Sequence, residues 1–258
     1  MIIGAMPNMT LHFINARHQL SGIKDWLTDS LGTAFAASAA LLPLGDTDVI
    51  ITGGNRVIPE KGHLGYAPEK GVIYVTVDPD HASLRANPDQ SLERMLAHEL
   101  HHCSRWDGPG YGTTLGETLI SEGLAGHFAQ EVFNWQPEPW ESVETSVLRP
   151  HVPRAREEWN NARYGHEEWF FGSAALPRWL GYSLGYQLVS RYLTAHPHGR
   201  ASALVHADAE IFLPHLREIC LSAPSQQRTL PSSRRRVRPR RFAGPTVGLQ
   251  NTSCHAVE

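Results

Sequence analysis

The sequence has few cysteines and no long apolar run. Three cysteines occur in 258 residues, at positions 103, 220 and 254, and no two of them form a CxxC pair. This spacing argues against a disulfide framework and against a cysteine-ligated zinc finger. No segment reaches the roughly 18 uninterrupted apolar residues that a membrane helix needs, and residues 1–20 lack the basic start and apolar run of a secretory signal. We therefore expect a cytoplasmic protein that does not enter a membrane.

The sequence also lacks a strong excess of one charge. Its net charge is −3, and hydrophobic residues make up 41% of it, as in an ordinary globular protein. Residues 222–258 are rich in serine, proline and arginine, with six arginines between Arg234 and Arg241, which is typical of a disordered tail. The other 17 Lys and Arg residues stand against 26 Asp and Glu residues, so we expect no specific nucleic-acid partner. The sequence thus predicts one domain at 1–221 and a tail at 222–258.

Hydrophobic periodicity predicts an α+β fold, with a small sheet near the N-terminus followed by helices. Two strand-like runs, 48–52 and 71–77, flank a turn-rich segment at 59–71. The segment Asn87-Pro-Asp-Gln90 is typical of a helix start, and Asp107-Gly-Pro-Gly110 of a helix end. Helical spacing of apolar residues predicts further helices at 20–42, 114–133, 139–148, 154–164, 177–194 and 201–219.

Histidine is abundant, with 15 in the chain, and two of them occur in an H-E-x-x-H motif. His98 and His102 are four residues apart on a predicted helix, so they share one face and can bind one metal ion. Glu99 follows His98 directly, which places its carboxylate beside the metal and not on it. His101 is expected to point elsewhere. This pattern predicts a zinc site with Glu99 as the base that takes a proton from water.

A catalytic zinc site usually has three protein ligands, and the next predicted helix offers Glu117, Glu122 and His127. Neighbouring members of this set are five residues apart, or about 140° around a helix, so only one of them should face the metal. Gly123, Ala125 and Gly126 would let two helices approach closely beside Glu122. We therefore predict Glu122 as the third ligand, with Glu117 and His127 in the surroundings of the site or on the surface.

Nineteen residues separate His102 from Glu122, as in the gluzincins, the thermolysin-like metallopeptidases. Further motifs lie in the segments 65–68, 73–79, 96–102 with Arg105, 120–125 and 176–186. By these segments the chain more closely resembles the DUF2268 family of predicted zinc-dependent proteases, over about residues 10–215. This resemblance implies a zincin-like metallopeptidase domain that binds Zn²⁺ and acts on a peptide or protein substrate.

The resemblance also implies a mechanism, in which a zinc-activated water hydrolyses a peptide bond with Glu99 as general base. The downstream histidine segment of the larger gluzincins has no obvious match here. The hydroxyl of Tyr182 or Tyr186, on a helix among the family motifs, is a candidate for stabilising the oxyanion, although both tyrosines are also typical of a packed core. By the same resemblance, residues 71–77 are either the sheet edge that aligns the substrate or a buried strand.

Two other functions fit the same residues. One is a zinc hydrolase that acts on a bond other than a peptide. The other is a binding or regulatory protein that keeps the zinc without turnover. Glu99 argues against the second, because a purely structural zinc site needs no such carboxylate.

Overall fold

The computed structural model describes residues 7–221, and the predicted tail at 222–258 lies outside them. The strands in this range are β1 (Met9–Ile14), β2 (Thr47–Gly53), β3 (His63–Glu69) and β4 (Val72–Val77). The helices are α1 (Lys24–Ala39), α2 (Ala82–Ala86), α3 (Ser91–Arg105), α4 (Leu115–Phe133), α5 (Thr145–Leu148), α6 (Val152–Glu157), α7 (His166–Phe171), α8 (Leu180–Ala195) and α9 (His215–Leu221). The α+β class is confirmed, with the sheet first and helices after it. None of the helices in residues 7–221 is long and apolar enough to cross a membrane.

The strands of the described range form one mixed sheet in the order β1-β2-β4-β3. β1, β2 and β4 run parallel, and β3 pairs antiparallel with β4. β4 is therefore an interior strand, and the interpretation of residues 71–77 as the substrate-aligning edge is wrong. The edge on that side is β3, which begins at His63 in the segment predicted to be turn-rich.

Two hydrophobic clusters share the helix α3. Its residues Leu92, Leu96 and Leu100 are fully buried and belong to a cluster formed with α1 and the sheet. Ala97, on the other side of α3, belongs to a second cluster built mainly from α4, α8 and the later helices. The position of the H-E-x-x-H helix is thus fixed from both sides.

Glycines set the distance between α4 and α8. A Cβ atom placed on Gly185 would lie 1.9 Å from the backbone oxygen of Leu119, and one on Gly123 would lie 2.3 Å from the backbone oxygen of Gly185. Both distances are far below contact distance, so only glycine fits at these two positions. The predicted close packing of helices beside Glu122 is confirmed.

Several predicted helices differ from the structure. The segment predicted as a helix at 139–148 is a 3-10 turn, Pro139–Glu141, followed by the short helix α5, and the helix predicted at 154–164 is α6, which ends at Glu157. Helix α3 begins at Ser91, because Asn87 has a left-handed conformation that ends α2 and starts a short 3-10 turn. The Asn87 side chain still caps the helix, as its Oδ1 accepts a hydrogen bond from the Leu92 backbone at 3.0 Å. The predicted helix at 201–219 is instead two 3-10 turns, Ser202–Leu204 and Ala209–Phe212, followed by α9.

Candidate metal centre

His98 and His102 face the same space from one side of α3. Their Nε2 atoms are 3.1 Å apart, and their rings meet edge to face at 4.7 Å between centroids. His102 is buried, whereas 17% of the His98 side chain is exposed. The one-turn spacing on a regular helix accounts for this arrangement. His101 points away, is fully buried and packs against Phe128.

Glu122 on α4 completes the cluster. Its Oε2 lies 3.2 Å from His98 Nε2, and its Oε1 lies 3.6 Å from His102 Nε2. Among residues 7–221, these three side chains form the group of His, Cys, Asp and Glu residues whose ligand atoms all lie within 4.8 Å of one another. The chain therefore brings together the two histidines and Glu122 as the sequence indicates.

The donor set fits a zinc ion. Two ligands of a tetrahedral zinc, each at about 2.0–2.1 Å, are roughly 3.3 Å apart, and the observed separations are 3.1, 3.2 and 3.6 Å. His102 Nδ1 lies 3.2 Å from the Ser121 hydroxyl, and a proton on that nitrogen leaves Nε2 free to bind a metal. Two nitrogens and one carboxylate with a fourth position open to a cavity are typical of a catalytic zinc site.

Tyr111 contacts Glu122 from the other side, and it was not among the predicted site residues. Its hydroxyl donates a hydrogen bond to Glu122 Oε1 at 2.5 Å, and its ring meets the His102 ring at 5.1 Å between centroids. The loop that carries it turns sharply at Gly110 and Gly112, both with positive φ. An aromatic residue between two glycines after the motif helix was the available signal.

The surroundings of Glu122 and Glu99 shift the pKa values of these two carboxyl groups in opposite directions. Burial alone would lower the pKa of His98, but the hydrogen bond and charge of Glu122 raise it to about 9. Burial alone would raise the pKa of Glu122, but the charge of His102 and hydrogen bonds from both histidines hold it well below its ordinary value. The pKa of Glu99 is raised, because burial outweighs the attraction of the histidines. Glu122 is thus suited to bind a cation, and Glu99 to accept a proton.

Glu99 lies directly beneath the edge strand β3. A Cβ atom on Gly65 would lie 2.6 Å from Glu99 Cγ and 2.4 Å from Met95 Sδ. Gly65 therefore allows the strand to pass this close to the motif helix. Glu99 is 8% exposed, and it opens into a cavity of about 770 Å³ that is lined on one side by residues 63–68 of β3.

The two tyrosines predicted as candidates for stabilising the oxyanion differ in their position relative to the cavity. Tyr182 lines the cavity together with His98, Glu99 and Glu122. Tyr186 is buried, and its hydroxyl donates a hydrogen bond to the Gln130 side chain.

Neither alternative third ligand joins the two histidines. Glu117 forms a capping box with Thr114 at the start of α4. His127 stacks on Tyr186, and its Nε2 lies 3.0 Å from the backbone oxygen of that residue. Burial lowers the pKa of His127 to about 4.

The chain is similar to one protein family and to two proteins of Bacillus subtilis. The family described as "Predicted Zn-dependent protease (DUF2268)" matches residues 28–214. The uncharacterised protein YjfC of Bacillus subtilis is 26% identical over 179 residues, which cover 63% of this chain and 58% of that protein. The uncharacterised protein YjaZ of the same organism is 30% identical over 139 residues, 48% of this chain and 50% of that protein. The chain thus spans about half the length of these relatives. No solved structure matches it.

Proposed function

This chain belongs to the DUF2268 family of predicted zinc-dependent proteases, and on that premise we propose that it is a zinc metallopeptidase. His98, His102 and Glu122 hold the ion, and Glu99 is the general base. The observation that carries the proposal is the three-residue cluster with a second carboxylate, that of Glu99, beside it at the wall of a large cavity. A structural zinc site has four protein ligands and no such cavity.

Zinc bound at this cluster would lower the pKa of water to about 7 and polarise the scissile carbonyl. Glu99 takes a proton from the attacking water and passes it to the leaving amine. Tyr182 faces the same cavity, and burial beside the charges of Glu122 and Glu99 raises its pKa well above the ordinary value. Its hydroxyl therefore stays protonated and is placed to donate a hydrogen bond to the developing oxyanion.

The edge strand supports a peptide as the substrate. β3 pairs with β4 on one side only, and residues 63–68 line the cavity above Glu99. An extended peptide can add to such an edge through backbone hydrogen bonds. A small ester or amide has no use for an exposed strand, so this feature favours a peptidase over a zinc hydrolase of another bond. Glu99 lies outside the three-residue cluster, and such an additional carboxylate argues against a zinc-binding protein without turnover.

Zinc content tests the ligand set. We expect about one zinc per chain in the purified protein, measured by mass spectrometry of the metal after gel filtration. Glu122→Ala removes one of three ligands and should lose most of this zinc. Tyr111→Phe removes only the hydrogen bond to Glu122, and loss of such a supporting contact should weaken zinc affinity about 10–100-fold.

His127→Ala is the matched control, because this histidine lies on the same helix and contacts Tyr186 instead of the cluster. It should keep its zinc. Full zinc retention in Glu122→Ala, or loss of zinc in His127→Ala alone, would contradict the proposed ligands.

Tyrosine variants test the oxyanion donor. Tyr182→Phe should keep its zinc but lower kcat by about a hundredfold or more, as expected for removal of one such donor. Tyr186→Phe should retain most activity, because its hydroxyl is bound to Gln130. Steady-state kinetics on a peptide that the parent protein cleaves would decide between the two. Equal activity of Tyr182→Phe and the parent protein would rule out this role.

A further inference from the structure

A third carboxylate, that of Glu141, lines the same cavity as the metal cluster. Glu141 ends the 3-10 turn Pro139–Glu141, and it is 7% exposed. Its Oε2 accepts a hydrogen bond from the backbone of Glu138 at 2.8 Å. Within residues 7–221, no hydrogen bond or ion pair is made by its other oxygen, Oε1. The turn thus presents one free carboxylate oxygen to the cavity.

The cations near Glu141 are bound elsewhere. Lys61 Nζ lies 2.7 Å from Glu138 Oε2, and Arg94 pairs with the other oxygen of Glu138. Glu138 therefore binds two cations, whereas Glu141 has none in the described part of the chain. Burial raises the pKa of Glu141 to about 7, although the Glu138 backbone hydrogen bond and the charge of His98 lower it. A buried carboxylate in this state gains free energy from any cation that reaches it.

The position of Glu141 relative to the metal cluster is fixed by α4. Gly126 follows Glu122 by four residues, so it lies on the same helix face, about one turn or roughly 6 Å further along. A Cβ atom on Gly126 would lie 2.1 Å from Glu141 Oε1. The carboxylate is therefore seated against the glycine, one helical turn from the third member of the cluster.

We propose that Glu141 binds a positively charged group of the substrate and so selects peptides that present a cation near the scissile bond. The chemical class is an ammonium or guanidinium. It is supplied either by a free N-terminus, which would make the enzyme an aminopeptidase, or by a basic side chain. This inference rests on the proposed peptidase function and adds a specificity to it. Glu141 acts by holding the substrate and takes no part in proton transfer.

Binding of matched peptides tests the proposal without cleavage. The protein is the zinc-loaded full chain with Glu99→Gln, which keeps the cavity but prevents turnover. The probes are three tetrapeptide amides of alternating leucine and alanine: one with a free N-terminus, one N-acetylated, and one N-acetylated with a lysine in place of one leucine. Calorimetry should show that one charged probe binds about 10–100-fold more tightly than the neutral one, as expected for a hydrogen bond to a charged group. Which charged probe binds tightly distinguishes an N-terminal amine from a basic side chain.

Adding Glu141→Gln should abolish this preference and leave the affinity for the neutral probe unchanged. The glutamine oxygen can still accept the Glu138 hydrogen bond, so the turn and the zinc content should be preserved. Glu144→Gln, an exposed change three residues away, is the control and should keep the preference. Equal affinity of all three probes, or a preference that survives in Glu141→Gln, would overturn the cation site alone. Absence of binding by every probe would overturn the peptidase function together with it.

Discussion

Replacement of Glu99 with Gln is expected to remove nearly all peptide cleavage while zinc and fold are retained. Gln keeps the shape of the side chain and can still fit beneath Gly65, but it cannot accept a proton from water. Loss of a general base lowers the rate roughly 10²–10⁴-fold. Because the same carboxylate also delivers the proton to the leaving amine, we expect the upper end of this range.

The measurement is kcat on a peptide that the parent protein cleaves, together with zinc content of both proteins. Glu157→Gln, an exposed change at the end of α6, serves as a control for preparation and should be fully active. Undiminished cleavage by Glu99→Gln would exclude the proposed mechanism or reveal a contaminating protease. Adding a zinc chelator and repeating the assay with Glu122→Ala would distinguish these two explanations.

Replacement of Gly185 with Ala is expected to destabilise the whole domain. The added methyl would lie 1.9 Å from the backbone oxygen of Leu119, and a backbone atom cannot move aside without separating α4 from α8. Overpacking of this kind costs about 1–3 kcal/mol and sometimes more. In a domain of this size, each kcal/mol corresponds to about 2–4 °C, so we expect the midpoint of thermal unfolding to fall by about 5–10 °C.

Gly32→Ala is the matched control for this change. Gly32 lies inside α1, where a Cβ atom would meet nothing within 4 Å. Alanine favours a helix over glycine by up to about 1 kcal/mol, so this variant should be as stable as the parent protein or slightly more stable. Similar melting temperatures for Gly185→Ala and the parent would mean that α4 and α8 are further apart than described.

The sequence was sufficient for the part of the site that is encoded by local spacing. Residues four apart on one helix must share a face, so the pairing of His98 with His102 followed directly. The choice of Glu122 over Glu117 and His127 rested on the helical period and on small neighbours, and the structure places Glu122 alone of the three beside the histidines. The family predicted from these segments is confirmed.

The missed elements depend on contacts between distant residues. Strand β3 contains Gly65 and Pro68, which are unfavourable in a central strand but acceptable at an edge, and the edge position is not visible from local sequence. β1 is held by parallel pairing with β2, which lies more than thirty positions later in the chain. Tyr111 reaches the cavity from a loop and Glu141 from a 3-10 turn, so the helical periodicity of the sequence could not place them there.

Because helix α3 belongs to both hydrophobic clusters, a destabilising substitution in either cluster can disturb the helix that carries His98 and His102. A substitution in the sheet and a substitution among the later helices would each reach the metal ligands through the same rigid element. If zinc binds as proposed, its retention would report on the packing of both clusters as well as on the ligands themselves. Variants isolated only for loss of metal should include many that lie far from His98, His102 and Glu122, and their defect would be one of folding, not of coordination.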